Sequence, residues 1–498
     1  MKLYTAEQVR EGEKEAAKRA NISLYTLMQR AGEAVFQCLL HHYPKCRSVV
    51  IVTGGGNNGG DGFEVAQLAL KHQLQVTVWH IGDPKQLQGD ALIAYQQWIK
   101  LGGKVVFDFG SLPLSSVIID AVLGTGLQGD LRSSAQVAIQ WMNKQSAPII
   151  SIDIPSGLIA NTGYCYSNVV VAAHTVSFIG LKQGLLTGQA RNYVGQLHLD
   201  DLGVGALFND VIDSSIEVLD PKKYTLPGRL PCSHKGEYGR GVLIGGDQGM
   251  GGAILLASEA CLNIGCGLTS VLTHPDHIMP SLSRTPEIMV QDWFDLVKYQ
   301  QRIDWSTVIA IGPGLGQSEF ARQKFDELRA LSLPKVVDAD ALNLLAQSPN
   351  YDSHRILTPH PGEAARLLNV SISEIEQNRY KAIRQLQNKY GGCVILKGAG
   401  TLVCFEDRIL VCTAGNAAMA TSGMGDILTG ILVGLLAQTQ DIFLSACLGV
   451  WLHSACADYI VTNTGKKVLK ASDLIECFHV VMIMALKNEQ LKGIKLDI

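Results

Sequence analysis

No Cys-x-x-Cys pair occurs in these 498 residues, although twelve cysteines are scattered from Cys38 to Cys477. Paired metal ligands at the usual spacing are therefore missing, and so is the framework of a disulfide-stapled domain. Reduced cysteines packed in the core are expected. An excess of one charge is missing too: 42 Lys and Arg against 45 Asp and Glu leave a net charge of −3. That balance argues against a nucleic acid held on a basic face. The first twenty residues are charged and contain no apolar signal core. The most apolar late stretch, 427–437, is too short and too interrupted by glycine to span a bilayer. A cytoplasmic protein with no membrane partner is expected, and a homo-oligomer. Short-period repeats and low-complexity tracts are absent as well.

What is present is material for large cores, 47% hydrophobic against 17% charged residues, which excludes global disorder. The length is about three times that of a typical domain, so at least two domains are expected. Glycine is the outlier, 51 residues where a usual share of ~7% would give far fewer. The excess clusters after apolar runs, as backbone shaped around ligands would require.

Thr5 and Gln8 have capping-box spacing. Leu24, Leu27, Met28, Ala31, Val35 and Leu39 then make a helical stripe. Short apolar runs follow at 49–52, 76–79, 117–119, 149–152 and 175–179. Continuous β-branched runs bounded by Gly or Asp suggest buried parallel strands under helices, an α/β layer fold. Around Leu219 the pattern breaks into a polar stretch, 220–228, holding Pro221 and Pro227. A second strand series occupies 242–244, 269–272, 308–311, 335–337, 355–357, 394–396 and 402–405, with helices from about Asp426 onward. The reading is two α/β domains, 1–218 and 219–498.

In the first half, the run 49–53 enters Gly54-Gly55-Gly56-Asn57-Asn58-Gly59-Gly60-Asp61-Gly62, ahead of a helix placed at 63–71. A strand, glycine loop and helix present backbone N–H groups to phosphate oxygens. No Lys-Ser/Thr follows the glycines, so it is not a Walker loop. Asp120 precedes Gly124-Thr125-Gly126-Leu127-Gln128-Gly129-Asp130, and Asp153 opens Asp153-Ile154-Pro155-Ser156-Gly157. Ligands gather at the carboxyl ends of parallel strands, so these three loops should converge.

These segments, with Leu27-Met28-x-x-Ala31-Gly32, resemble the NAD(P)H-hydrate epimerase domain over almost all of residues 1–218. The resemblance implies a Rossmann-like three-layer α/β fold. It further implies that Asn57, Asn58, Gly59, Gly60 and Asp61, together with Gly124, Thr125, Gly126, Leu127, Gln128, Gly129 and Asp130, hold hydrated NADH or NADPH. A potassium ion would fall on Asn58, Asp120 and Ser156. The hydrate carries a hydroxyl beside the ring nitrogen, whose lone pair can expel it, and water can return to either face. Asp153 is the expected proton shuttle, with bonding to the ribose as its alternative role.

In the second half, His234-Lys235-Gly236, Gly312-Pro313-Gly314-Leu315-Gly316 and Thr358-Pro359-His360-Pro361-Gly362-Glu363 stand out. So do Lys397-Gly398-Ala399-Gly400-Thr401 and the run 415–426 ending in Gly423-Met424-Gly425-Asp426. Small residues let backbone approach a ligand. A glycine-rich helix start places donors around a transferring phosphoryl group, with a carboxylate poised to take the acceptor hydroxyl's proton. Asp340, with Asn343, reads as a helix cap.

This half resembles the ribokinase-like superfamily, and closely the ADP/ATP-dependent NAD(P)H-hydrate dehydratases, over most of residues 230–490. The resemblance implies that Ala253, Gly314, His360 and Asp426 contact substrate, with Asp426 as base. It implies that Lys397, Gly398, Ala399, Gly400, Thr401 and Gly425 contact ADP or ATP, with magnesium bridging the phosphates. Ala418, Ser422 and Met424 depart from the family's smaller residues. Two other readings stand beside repair: a small-molecule kinase with a noncatalytic dinucleotide sensor, and a nicotinamide dehydrogenase built on Gly54, Gly56 and Gly59.

Overall fold

In the computed structural model, residues 1–486 are described, apart from 109, 111 and 227. Pro227 of the expected link and the closing stretch 487–498 of the expected second domain lie outside the described residues. The chain forms two compact units, one spanning Met1–Ile216 and the other beginning at Glu217.

The first unit is built on β1 (Ser48–Thr53), β2 (Gln75–His80), β3 (Val105–Val106), β4 (Val117–Ala121), β5 (Ile149–Ile152), β6 (His174–Phe178) and β7 (Gln196–Asp200). They lie in the order β3-β2-β1-β4-β5-β6-β7, every pair parallel. Period-two side-chain alternation sorts the β1 run onto two faces. Val49 and Ile51 join a core with the helices Leu24–His42, Asn57–Lys71 and Gly89–Lys100, while Val50 and Val52 join one with the helix Ser133–Lys144. That is a three-layer unit. The strand order reverses between β1 and β4, which opens a crevice at their carboxyl ends. Thr5 and Gln8 close a reciprocal capping box on the helix Ala6–Arg19. The sequence runs did not reveal β3, only two residues long, or β7, whose Gln196, His198 and Asp200 interrupt its apolar character.

The second unit is built on β8 (Ile216–Val218), β9 (Arg240–Ile244), β10 (Leu268–Thr273), β11 (Met289–Asp292), β12 (Val308–Ile311), β13 (Lys335–Val337), β14 (Arg355–Leu357), β15 (Cys393–Leu396), β16 (Leu402–Phe405) and β17 (Arg408–Val411). Their order is β11-β10-β9-β12-β13-β14-β15-β16-β17-β8. Pairing is parallel from β11 to β15 and antiparallel through β16 and β17. The helix Met424–Thr439 packs on Gly251–Asn263 at a distance only glycine permits. A Cβ on Gly430 would lie 2.1 Å from the Ala257 oxygen, and one on Gly434 would lie 2.1 Å from Ile264 Cγ2.

The helix Ile442–Thr464 is long and apolar enough to cross a membrane, and 78% of its most apolar window is buried inside the protein. Burial accounts for its composition: it is hydrophobic all round because it is surrounded by core. No disulfide joins any of the twelve cysteines among the described residues, and seven of them are buried.

Candidate active sites

In the first unit the β1, β4 and β5 loops surround a cavity of about 830 Å³. Asn57, Asn58 and Asp61 line it with the three glycines before them. Gly124, Thr125, Gly126, Leu127, Gln128 and Asp130 line it from the second loop, and Asp153 from the third. Gly59, Gly60 and Gly129 are absent from its wall. The first two of these work inside a helix, which begins at Asn57 rather than at Phe63. A Cβ on Gly59 would stand 2.0 Å from the Gly54 oxygen, and one on Gly60 would stand 2.6 Å from Met28 Cε. Their missing side chains let the first helical turn settle on the strand end, leaving Gly54-Gly55-Gly56 as the loop.

Asp153 follows β5 in a left-handed conformation, φ +62°, which is uncommon for a residue with a Cβ. Its N–H donates to the Val176 oxygen at 2.7 Å. Its carboxylate accepts from Ser177 Oγ at 3.1 Å and forms a salt bridge with Lys182. Lys182 also donates to the Phe178 oxygen at 3.1 Å. Both Lys182 and Glu13 line the cavity, and neither was singled out from the sequence. The available signal was a lysine closing the apolar stretch Phe178-Ile179-Gly180-Leu181, since a buried lysine needs a partner. Burial pushes the Glu13 carboxyl up to about 7, with Asp153 adding and Lys182 opposing. Asp61 is likewise raised, first by burial and then by Asp153 and Glu13. Two carboxyls that burial makes harder to ionise thus stand beside the salt bridge.

Asp120 and Ser156 meet beneath the cavity floor. Asp120 accepts from Ser156 Oγ at 2.5 Å, Ser156 N at 2.9 Å and Ser151 Oγ at 2.8 Å. Burial nonetheless raises its carboxyl above the usual range. The Asn58 side chain lies against Gly124, its Oδ1 3.2 Å from where a Cβ there would be. Its Nδ2 is buried without a hydrogen-bond partner among the described residues.

In the second unit the centre is Lys397, at the end of β15. Its Nζ lies 2.9 Å from Asp338 Oδ1 and 3.8 Å from Glu363 Oε2. Asp338 Oδ2 accepts from Thr429 Oγ1 at 2.7 Å. Burial alone would raise Asp338 and lower Lys397, but their mutual attraction prevails, so the acid is lowered and the base raised. Asp426 is the third residue of its helix, behind Gly423 in a left-handed cap position. Burial, then the charge of Asp338, push it up to about 7 against the pull of Lys397. Burial also lifts Glu363 to about 7. His360 caps the helix Pro361–Leu368 through Nδ1, which accepts from Gly362 N at 2.9 Å, and its ring is half-exposed. Burial, then Lys397, lower its pKa.

Gly425 packs on this cluster, a Cβ there falling 3.3 Å from Lys397 Nζ. Gly398, Ala399, Gly400 and Thr401 form the turn between β15 and β16, closed by Thr401 Oγ1 donating to the Gly398 oxygen at 2.9 Å. Ala253 and Gly314 meet across the β9 and β12 loops, 3.4 Å separating Ala253 Cβ from a Cβ built on Gly314. Asp340 is not the cap of its helix. Asp338 holds that position, and Asp340 instead accepts from Gly316 N at 2.9 Å, tying the β12 loop to β13. Asp458, also unread in the sequence, fixes the run before Asp426 by accepting from Gly415 N at 2.8 Å and Asn416 Nδ2 at 2.7 Å.

Comparison with known proteins matches a family profile described as YjeF-related protein N-terminus to residues 24–184, and one described as NAD(P)H-hydrate dehydratase to residues 241–479. The bifunctional NAD(P)H-hydrate repair enzyme of Vibrio cholerae is 48% identical over 95% of this chain and 96% of its own length. That of Escherichia coli is 42% identical over 95% of this chain and 92% of its own length. A solved ribokinase-like superfamily protein from Enterococcus faecalis is 30% identical over 55% of this chain and 98% of its own, with a TM-score of 0.51. With two-site geometry and relatives matched almost end to end, the chain belongs to the family of bifunctional NAD(P)H-hydrate repair enzymes.

Proposed function

We propose that the first unit interconverts the R and S hydrates of NADH and NADPH, and that the second dehydrates the S form using ADP or ATP. The observation that carries this is one buried acid–base group in each unit: Asp153 with Lys182, and Asp426 with Lys397 and Asp338.

In the first unit, the ring nitrogen expels the hydroxyl and water returns to either face. Asp153 moves the proton on the departing and arriving oxygen. Lys182 fixes the carboxylate, and Glu13 and Asp61, whose carboxyls burial raises, line the same cavity. The residues fit a potassium ion. The Asn58 amide, whose Nδ2 has no partner among the described residues, can turn its oxygen inward, and the buried Asp120 carboxylate forms no ion pair among the described residues. Asn58, Asp120 and Ser156 would hold the ion, which would supply fixed positive charge under the cavity floor.

In the second unit, hydroxide is a poor leaving group and phosphate a good one. Asp426 takes the hydroxyl proton as that oxygen attacks the terminal phosphoryl group. The ring nitrogen then expels phosphate, and the adjacent carbon loses a proton to restore the dihydropyridine. Lys397 balances the phosphate charge, while the bare backbone at Gly425 and the turn 397–401 admits the nucleotide. Magnesium would come with the phosphates and neutralise them. Glu363, a buried carboxyl beside Lys397, suits it as a chain ligand.

Feeding each hydrate epimer with ADP, ATP or no nucleotide tests the reading. The S hydrate with nucleotide should give restored dihydropyridine absorbance and inorganic phosphate, and the R hydrate should follow through the first unit. A stable phosphorylated product would make the second unit a kinase.

A further inference from the structure

Away from the cavity, Cys38, His42, His174 and His198 turn four donor atoms toward one point, all within 4.8 Å of one another. Three separate elements supply them. Cys38 and His42 are four apart on the helix Leu24–His42, hence on one face. His174 opens β6, and His198 on the parallel β7 stands opposite Val176, two residues further along, so both project from the same face of the sheet. His174 Nδ1 and His198 Nε2 are 3.1 Å apart. The imidazole centroids of His42, His174 and His198 are separated by 4.1, 5.1 and 5.3 Å. Donors on a tetrahedral zinc ion, at bond lengths of about 2.0–2.3 Å, lie roughly 3.3–3.8 Å apart, so a small inward movement of the outlying donors completes the geometry.

We propose that these four side chains form a zinc site, one thiolate and three imidazoles, that fastens the helix Leu24–His42 to β6 and β7.

The donor set favours a borderline-soft divalent ion over magnesium or calcium, because the group contains no oxygen ligand. Four protein donors leave no open position, so the site is structural. None of the four residues lines the Asp153 cavity. His174 opens β6, whereas the cavity is formed at the carboxyl ends of the strands. On binding, Cys38 releases its thiol proton to solvent and a sulfur–zinc bond forms. The imidazoles bind through neutral nitrogens, and no redox change occurs.

The test loads the full-length protein with zinc chloride, free of copper, which would outcompete zinc. Metal content is measured after desalting, and cobalt substitution is followed by absorption. About one zinc per chain should remain, and the cobalt form should show a thiolate-to-metal band with intense tetrahedral visible bands. Cys38→Ala should lose the thiolate band, and His174→Ala should weaken zinc binding by about tenfold or more. Circular dichroism checks that each variant is folded. Zinc below about a tenth per chain, or equal retention by a folded Cys38→Ala/His174→Ala double variant, overturns the site. Should the variants fail to fold, the wild-type cobalt spectrum decides: weak octahedral bands with no thiolate band overturn it as well.

Discussion

Lys182 reaches Asp153 from the segment after β6 and closes a salt bridge in which the lysine side chain is 2% exposed and the aspartate 15%. A lysine this deep is held by its partner, and the partner is the residue assigned to move protons.

Removing one member of a buried pair leaves the other uncompensated. Lys182→Met should cost about 3 kcal/mol of stability, at the low end for such pairs because Asp153 keeps some contact with solvent. The double variant Asp153→Asn/Lys182→Met should recover part of that loss in urea titrations. Asp153→Asn alone leaves the Lys182 charge uncompensated and should lose stability too, and in its folded form should slow epimer exchange by about 10²–10⁴-fold. Near-normal exchange in that variant would remove Asp153 as the proton shuttle and favour ribose binding.

Gly59 is constrained by backbone. Because its Cβ would meet the Gly54 oxygen at 2.0 Å, Gly59→Ala must push the helix off the strand end. A loss of about 1–3 kcal/mol is expected. The cavity wall at Asn57 and Asn58 would be displaced with it, so epimer exchange should fall more than dehydration does. Thermal unfolding and the two assays measure this on one preparation. An unshifted melting temperature would contradict the close approach.

Local pattern made the strand ends legible. The runs at β1, β4, β5, β9 and β12 to β15 are short, largely apolar and buried, and each carries its loop motif directly behind it. Asp426 could be read because the glycines that shape its surroundings are its neighbours in sequence. Long-range pairing could not be read this way. Asp153 and Lys182 are separated by 29 residues, and Asp338 and Lys397 by 59. Nothing near Asp338 marks it as the buried partner of a lysine, and Asp340, with its better capping spacing, reads as the cap. Glu13 sits on a charged amphipathic helix where one more glutamate looks solvated. The early start of the helix at Asn57 was hidden by two glycines that disfavour helix in isolation yet are required here by packing.

Potassium should matter to one activity only. Replacing potassium with tetramethylammonium should slow epimer exchange, and Asn58→Ala should blunt that response, because the orphaned Asn58 amide and the buried Asp120 are the groups such an ion would satisfy. Dehydration of the purified S hydrate in the same buffers, with the same variant, should be unchanged by Asn58→Ala. Equal exchange rates in the two salts would leave the buried Asp120 without the cation assigned to it.

The Asp426 carboxyl, pushed up to about 7 by burial and by Asp338, ties rate and stability to the same pH window with opposite signs. As a base it must be ionised, so kcat/KM for nucleotide-driven dehydration should climb about tenfold per pH unit below 7 and level off above it. Asp426→Asn should abolish dehydration at every pH while leaving epimer exchange intact. For stability, the folded state holds this proton more tightly than the unfolded chain does. Its contribution is therefore full below the ordinary aspartate value, declines as pH rises toward 7, and is lost above 7. An amide in place of the carboxyl has no proton to lose, so Asp426→Asn should gain stability relative to the parent across that window and keep the gain at pH 8. Urea unfolding of both proteins at pH 5 and pH 8 reads the difference. A variant no better placed at pH 8 than at pH 5 would mean that Asp426 is ionised throughout, and the rate limb near 7 would then belong to another group.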